Sequence, residues 1–275
     1  MIVQVGLVSQ SKQVPFSDIA LVSAALQKQA TRDFGPLWQV QATVDPFARL
    51  GDVPVGYWPV VVRDDVMSKQ QAAGIHLDKN GQPFALVQAQ EGWPMTASHE
   101  VLEMLADPFG ERMIAGQAPK EAKGQGRVEY LVEVCDPSED EKFGYTVNDI
   151  LLADFYTPNY FDPITAPGVR YSFTGAINKP RQVLRGGYIS WHNLVDDHWY
   201  QLTWFSGAKP TVRDIGVFDA STKSAREMID ECTVTPRMAR PIKPVKSILA
   251  ARTGTTASTA SRAAALEAEI AARIG

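Results

Sequence analysis

The sequence predicts an α+β fold, in which an α/β half with a mixed sheet precedes a β-rich and irregular half. Runs of β-branched residues alternate with helical periodicity over residues 1–110, and this alternation predicts both strands and helices. Beyond Gly110 glycine, proline and aromatic residues become frequent, which indicates short strands and loops. With 275 residues and 45% apolar content, the chain is long enough for one sizeable domain, predicted at residues 1–240.

The N-terminal half, residues 1–110, begins with a strand and a long helix. Residues 1–8 alternate in polarity and are rich in valine, which predicts the first strand. Residues 18–33 carry apolar side chains at helical spacing after a Pro-Phe-Ser segment, which predicts the long helix.

Four more strands are predicted before the second helix. Residues 38–44 and 58–63 are β-branched and aromatic runs bounded by proline and glycine. Residues 74–77 and 84–88 flank the pair Asn-Gly at 80–81, which tolerates the positive φ of a tight hairpin turn. In the resulting sheet, residues 84–88 are expected either at an exposed edge, where an extended peptide can add, or in the interior.

The second helix carries the most informative residues of the chain. Thr96 or Ser98 is the expected N-cap, and Pro108 ends the helix just after Asp107.

The β-rich half, residues 111–240, is predicted to hold short strands joined by turns. An Asn-Asp pair at 148–149 again favours a hairpin, and three prolines make residues 157–168 irregular. The predicted elements are strands at residues 128–135, 145–147, 150–155, 188–191 and 199–205, and a short helix at residues 225–231.

The C-terminal tail has a different composition from the rest. Residues 241–260 are rich in proline, threonine, serine and alanine, which is typical of a linker. Residues 261–275 favour a helix with a thin apolar stripe of Leu266, Ile270 and Ile274. Such a stripe is too narrow to fold alone, so we expect the helix to dock on this domain or on another subunit.

Charge and composition argue against several functional classes. The net charge is −4 and the lysines and arginines are scattered, so neither nucleic acid nor a membrane surface is an expected partner. No segment approaches the ~20 apolar residues that span a bilayer. Residues 1–8 lack the positive start of a signal peptide, so a cytoplasmic location is expected. The two cysteines are far apart and show no C-x-x-C spacing.

Residues 98–107 read S-H-E-V-L-E-M-L-A-D. On a helix each residue advances about 100°, so His99 and Glu103 lie about 40° apart, one turn from each other. Both side chains can therefore bind one metal ion. This string resembles H-E-x-x-H, the metal-binding helix of the zincin metallopeptidases, with a glutamate in place of the second histidine. The order of strands and helices before it is also similar to the N-terminal half of a zincin.

The resemblance implies that His99 is a metal ligand and that Glu100 is the general base that takes a proton from a water on the metal. Glu103 matches the second ligand only by its position. The expected ion is zinc or another divalent metal. A carboxylate in place of an imidazole is a harder ligand, so the site should also tolerate manganese or calcium.

A third ligand is needed, and the sequence leaves several candidates. Asp107 is favoured because the helix ends there. The other candidates are Glu133, Asp136, Asp154, His192 and His198.

Several of these residues also have simpler interpretations that involve no metal ion. In a plain amphipathic helix Glu100, Glu103 and Asp107 would face solvent. His76 precedes a turn and is expected to be exposed, and Cys135 is a candidate nucleophile or, on an alternating strand, a buried thiol.

The predicted function is that of a metal-dependent hydrolase, most specifically a peptidase acting on a peptide or protein substrate. A non-catalytic alternative is a zincin-derived structural or assembly protein, attached or self-associated through the C-terminal helix. A third interpretation is calcium binding through Glu133, Asp136 and Asp140.

Overall fold

The computed structural model describes residues 2–66, 73–219, 223–236 and 241–248, and in the tail residues 264, 265, 267–269, 271 and 272. The chain divides into two compact units, Met1–Val245 and Lys246–Gly275. The described residues from 264 to 272 are helical, but Leu266, Ile270 and Ile274 lie outside the described residues. Docking through the tail therefore stays a prediction.

The described part of the larger unit confirms an α+β fold. Its first sheet has the strand order β2-β1-β3-β5-β4, in which β4 is antiparallel to β5 and the other pairs are parallel. The strands of this sheet are β1 (Val3–Ser9), β2 (Ala42–Phe47), β3 (Trp58–Arg63), β4 (Gly74–Lys79) and β5 (Gln82–Gln88).

The second sheet belongs to the C-terminal half and is antiparallel throughout, in the order β12-β11-β10-β7-β6, while β8 and β9 form a separate hairpin. These strands are β6 (Met113–Gln117), β7 (Arg127–Leu131), β8 (Tyr145–Val147), β9 (Ile150–Leu152), β10 (Tyr188–Asn193), β11 (His198–Thr203) and β12 (Thr211–Gly216).

Helices pack against both sheets. The α-helices are α1 (Phe16–Lys28), α2 (Gly35–Trp38), α3 (Trp93–Ala106) and α4 (Ala225–Cys232). The segment Gln29–Phe34 between α1 and α2 is a π-helix. Helix α1 packs against β1 and β2, and α3 packs against β4 and β5. Among the described residues, no helix is both long and apolar enough to cross a membrane.

The central strands of the first sheet are apolar on both faces. In β1 the residues Val5, Leu7 and Val8 are inaccessible to solvent, and Val60 and Val62 of β3 are equally buried. Continuous apolar runs of this kind are typical of parallel strands that are covered on both sides.

Several sequence predictions are confirmed by these elements. The first strand, the strand at 58–63 and both hairpins form where they were predicted, and Asn80 and Asn148 adopt the positive φ that their turns require. The strands near 188 and 199 and the short helix α4 are also confirmed.

Other boundaries need correction. The long helix does not end at residue 33 but continues through the π-helix to Trp38, so the strand predicted from residue 38 begins only at Ala42. The strand predicted to reach residue 135 ends at Leu131. Strand β5 is interior and β4 forms the edge of the described sheet, so the interior alternative for residues 84–88 is the correct one.

Helix α3 begins at Trp93, before both predicted caps, Thr96 and Ser98. Gly92, with a φ of 82°, and Pro94 start the helix, so Ser98 lies inside it and is fully buried. The Ser98 hydroxyl donates to Oε1 of Gln29 and accepts from the amide of Ala153. A buried polar network therefore joins α3 to the π-helix and to the segment after β9.

The edge strand β4 lies unusually close to α3. A Cβ atom built on Gly74 would lie 2.5 Å from Oε1 of Glu100 and 2.5 Å from Cγ2 of Thr96. Only a residue without a side chain permits this approach, which brings the inward face of β4 onto residues Thr96 and Glu100 of the helix.

We expect Gly74→Ala to lower the free energy of unfolding by about 1 to 3 kcal/mol, the usual cost of overpacking a close contact. Gly51→Ala is the matched control, because a Cβ there meets nothing within 4 Å. Urea denaturation of both variants measures the difference. Equal stability of the two variants would show that β4 and α3 can separate without cost.

Candidate metal centre

Helix α3 buries the whole of the predicted motif. His99 is 5% exposed, Glu100 3% and Glu103 0%. The interpretation of α3 as a plain amphipathic helix with its glutamates in solvent is therefore wrong. Ionisable groups are rarely buried unless they are paired or bind a metal.

Glu103 is the centre of the cluster. Its Oε2 atom lies 3.1 Å from Nε2 of His99 one turn earlier, as the spacing predicted, and 3.3 Å from the guanidinium of Arg226. Its Oε1 atom accepts a hydrogen bond from the backbone amide of Cys135 at 3.1 Å. The carboxylate therefore connects α3, α4 and the segment after β7.

His76 reaches the same cluster from β4. It is 2% exposed, so the prediction of an exposed histidine is wrong. His76 shares a face of its strand with Gly74, and that face packs on α3. Its Nδ1 atom lies 3.5 Å from Oε2 of Glu100 and 3.8 Å from Oε2 of Glu103.

The segment after β7 supplies two more acids. Asp136 begins a short 3₁₀ turn, Asp136–Ser138, and its Oδ1 atom lies 3.2 Å from Nε2 of His99. Glu133 is 4% exposed and is paired with Arg226. Gly187 lies against this turn, since a Cβ there would collide with the carbonyl oxygens of Asp136 and Pro137.

Arg226 is the cationic side chain that the sequence analysis missed. It is 4% exposed, and its guanidinium contacts four carboxylates. These belong to Glu103, Glu133, Asp136 and Asp230. Helix α4 holds it there through a Ser224–Glu227 capping box and a hydrogen bond from the Arg226 amide to the carbonyl of Gly110.

Burial and charge shift the acids of this cluster in different directions. Burial raises the pKa of Glu133 well above its ordinary value, and the nearby Glu103 and Asp136 add to the rise. Burial, together with Glu103, also raises the pKa of Asp136, and burial raises that of Asp230 to about 6. Burial disfavours ionised Glu103, but the charges of His99 and Arg226 outweigh it and lower its pKa.

Burial and the neighbouring carboxylates also shift the pKa values of His99 and Cys135. Burial opposes protonation of His99, but Glu103 and Asp136 outweigh this effect and raise its pKa well above the ordinary value. Burial, with the neighbouring Glu103 and Asp136, raises the pKa of Cys135, which keeps it a protonated thiol. A buried structural thiol is the better interpretation of Cys135.

The residues of the cluster fit a metal ion. Within the described part of the chain, three sets have one donor atom per residue within 4.8 Å of one another, and Glu103 belongs to all of them. The sets are His99 with Glu103 and Cys135, His76 with Glu100 and Glu103, and Glu103 with Glu133 and Asp136. Donor atoms bonded to one ion at ~2.0 to 2.2 Å lie about 3 to 3.6 Å apart, close to the separations around Glu103.

Unpartnered polar atoms support this fit. Among the described residues, Oε2 of Glu100, Oε2 of Glu103 and Oδ1 of Asp136 are buried without a hydrogen-bond partner. Such atoms are costly unless an ion, a proton or water satisfies them.

Some predicted ligands lie in other arrangements. Both carboxylate oxygens of Asp107 accept backbone amides, from Glu111 at 3.1 Å and from Arg112 at 2.8 Å, so Asp107 shapes the turn after α3. Its expected role as third ligand has no geometric support. Asp154 accepts the amide of Thr174, and Asp140 caps the amide of Lys142. His192 pairs with Asp197 and His198 with Asp214.

A cavity of about 30 Å³ adjoins the cluster, bounded by His99, Glu100, Asp136 and Arg226 among others. A cavity of roughly 10 to 15 Å³ by this measure is enough to hold one water molecule. The space admits a metal ion or a water molecule, and a peptide does not fit in it.

The two residues that the sequence analysis missed had weak signals. His76 alternates with Gly74 on a predicted strand, so it shared a face with a glycine that permits close packing. Arg226 lies in a predicted short helix, and nothing local indicates which acids it meets.

Comparison with known proteins finds no matching family model, and neither a curated protein nor a solved structure matches the chain. The interpretation of the site therefore depends on its geometry.

We expect Arg226→Met, measured by urea denaturation with a chelator present, to lower the free energy of unfolding by about 3 to 5 kcal/mol. The variant leaves several buried carboxylates without their cation. Carboxyl groups with a raised pKa bind protons more tightly in the folded state, so the loss should be larger at pH 8 than at pH 5.

Arg185→Met is the matched control, because Arg185 is exposed and should change stability by less than about 0.5 kcal/mol. A variant at Arg226 as stable as this control at both pH values would contradict the assigned role of Arg226.

Proposed function

We propose that the protein is a metal-dependent hydrolase in which His99, Glu103 and Asp136 hold a divalent ion and Glu100 is the general base. The observation that carries this proposal is the position of Glu103. Its buried Oε2 atom has no hydrogen-bond partner among the described residues, yet lies 3.1 Å from the ring of His99. Asp136 takes the place that the sequence analysis gave to Asp107.

The donor set favours a borderline or hard divalent ion. One imidazole and two carboxylates suit zinc, and they also suit manganese or iron(II). Cys135 lies within reach of His99 and Glu103 and would add a soft donor to this set.

Glu100 and Arg226 have different roles in the expected chemistry. A divalent ion, when bound, supplies Lewis acidity and lowers the pKa of a coordinated water to about 7. Glu100 follows His99 in the chain, and its Oε2 atom has no hydrogen-bond partner among the described residues, so it can accept the proton of that water. Arg226 balances part of the negative charge of the ligands.

A peptide substrate agrees with the edge position of β4. Strand β4 pairs with β5 on one side and packs on α3, so an extended peptide could add to its other side near the motif. The cavity of about 30 Å³ is too small for a peptide, so cleavage requires the residues around it to move.

The ion pairs of Arg226 support a second candidate function, a structural role without a metal ion. An internal cation among four carboxylates is also what a metal-free scaffold would use, and the protein would then be structural.

Metal content separates the two candidates. We expect purified protein to hold about one divalent ion per chain by plasma mass spectrometry. Glu103→Gln should weaken metal binding by more than about 100-fold, beyond the usual loss for a group that only supports a ligand. Glu111→Gln, at an exposed site, is the control and should bind normally. A wild-type protein that binds no transition metal would favour the scaffold.

Hydrolysis is tested separately from binding. We expect Glu100→Gln to keep its metal but to lose hydrolysis of an unfolded protein or a peptide library by ~100-fold or more, because the general base is gone. Glu111→Gln should keep full activity. Full activity of Glu100→Gln would contradict the role of Glu100, and a metal-loaded wild type without activity would refute the hydrolase.

A further inference from the structure

His76 is the least satisfied polar side chain of the cluster. It is 2% exposed, and neither Nδ1 nor Nε2 has a hydrogen-bond partner among the described residues. A buried donor or acceptor without a partner costs about 1 to 3 kcal/mol, so a histidine used only for packing would be a poor choice at this position.

The ring is held at its position by the backbone around it. His76 pairs with Ala85 in the β4-β5 register, and Gly74 two residues earlier lets the strand approach α3. The imidazole is thereby placed beside Glu100 and Glu103, which lie on one face of the helix at a spacing of three residues.

Hydrogen bonds do not explain why His76 lies beside Glu100 and Glu103. The separations of 3.5 Å to Glu100 and 3.8 Å to Glu103 exceed a charged hydrogen bond of about 2.8 Å. The two carboxylate oxygens that face the ring also have no hydrogen-bond partner among the described residues. Nδ1 of His76 and Oε2 of Glu103 are donor atoms at a spacing that suits one shared cation, and Oε2 of Glu100 lies beside them.

We infer that His76 is a second imidazole ligand of the divalent ion at Glu103. The inference rests on the metal site of the proposed function and adds to it a ligand from the edge strand. The donor set becomes two imidazoles, His76 and His99, and two carboxylates, Glu103 and Asp136.

This donor set narrows the class of ion. Four protein ligands fill a tetrahedral ion, and a water can then bind only if the ion accepts five or six ligands. Manganese(II), iron(II) and five-coordinate zinc meet that condition. The ion also ties β4 to α3, so metal binding stabilises the contact of the edge strand with the helix.

The experiment uses the full chain loaded with Zn²⁺ or Mn²⁺ alone. X-ray absorption spectroscopy counts the imidazoles on the ion, and calorimetry gives the affinity. The variants are His76→Leu and His76→Gln, and His198→Gln is the control because His198 is partly exposed and pairs with Asp214. Urea denaturation in chelator shows whether each variant is folded.

We expect two imidazoles in the wild type and in His198→Gln, and one imidazole in both His76 variants. Their affinity should fall by more than about 100-fold. In chelator His76→Leu should be as stable as the wild type or more stable, since it removes two unsatisfied nitrogens.

One imidazole in the wild type, or unchanged affinity in a folded His76 variant, overturns the inference and leaves the proposed function intact. If neither the wild type nor any variant binds a transition metal, the proposed function falls together with it.

Discussion

The burial of the Glu103 carboxylate is the constraint on which the surrounding structure depends. An uncompensated charge in such a place costs several kcal/mol, so each neighbouring element must bring it a partner. The segment after β7 brings the amide of Cys135, and α4 brings Arg226. His99 approaches from the preceding turn of α3 and His76 from β4. Residues from both halves of the larger unit therefore contact the same carboxylate, that of Glu103.

The charges around Glu103 do not balance within the protein. Glu100, Glu103, Glu133, Asp136 and Asp230 carry five negative charges when ionised, and Arg226 carries one positive charge, which leaves −4. Protonation of His99, whose pKa is raised, lowers the excess to −3. Further protons must balance the rest, or a divalent ion bound by neutral His99 balances two of the four charges and protons balance the others. The raised pKa of Glu133 and of Asp136 shows where protons collect when no other cation compensates.

The sequence could predict what depends on neighbouring residues. Helical spacing placed His99 and Glu103 on one face, and the Asn-containing turns of both hairpins formed as predicted. It could not predict partners brought together by tertiary packing. His76 and Arg226 are distant in sequence from Glu103, and no local pattern distinguishes a buried arginine from an exposed one. Nor does helical spacing predict that the backbone amides after the helix end bind the carboxylate of Asp107.

At Asp136 metal ligation and the ion pair of Arg226 can use different oxygens. At Asp136 the Oδ2 atom faces Arg226, whereas Oδ1 faces His99 and has no hydrogen-bond partner among the described residues. Glu133 and Asp230 face Arg226 as well. The guanidinium thus contacts Glu133, Asp230 and Oδ2 of Asp136, and it leaves Oδ1 of Asp136 available beside His99. At Glu103 the guanidinium contacts the same Oε2 atom that faces His99, so an ion bound there would share this oxygen with Arg226, whose charge lowers the repulsion among the acids.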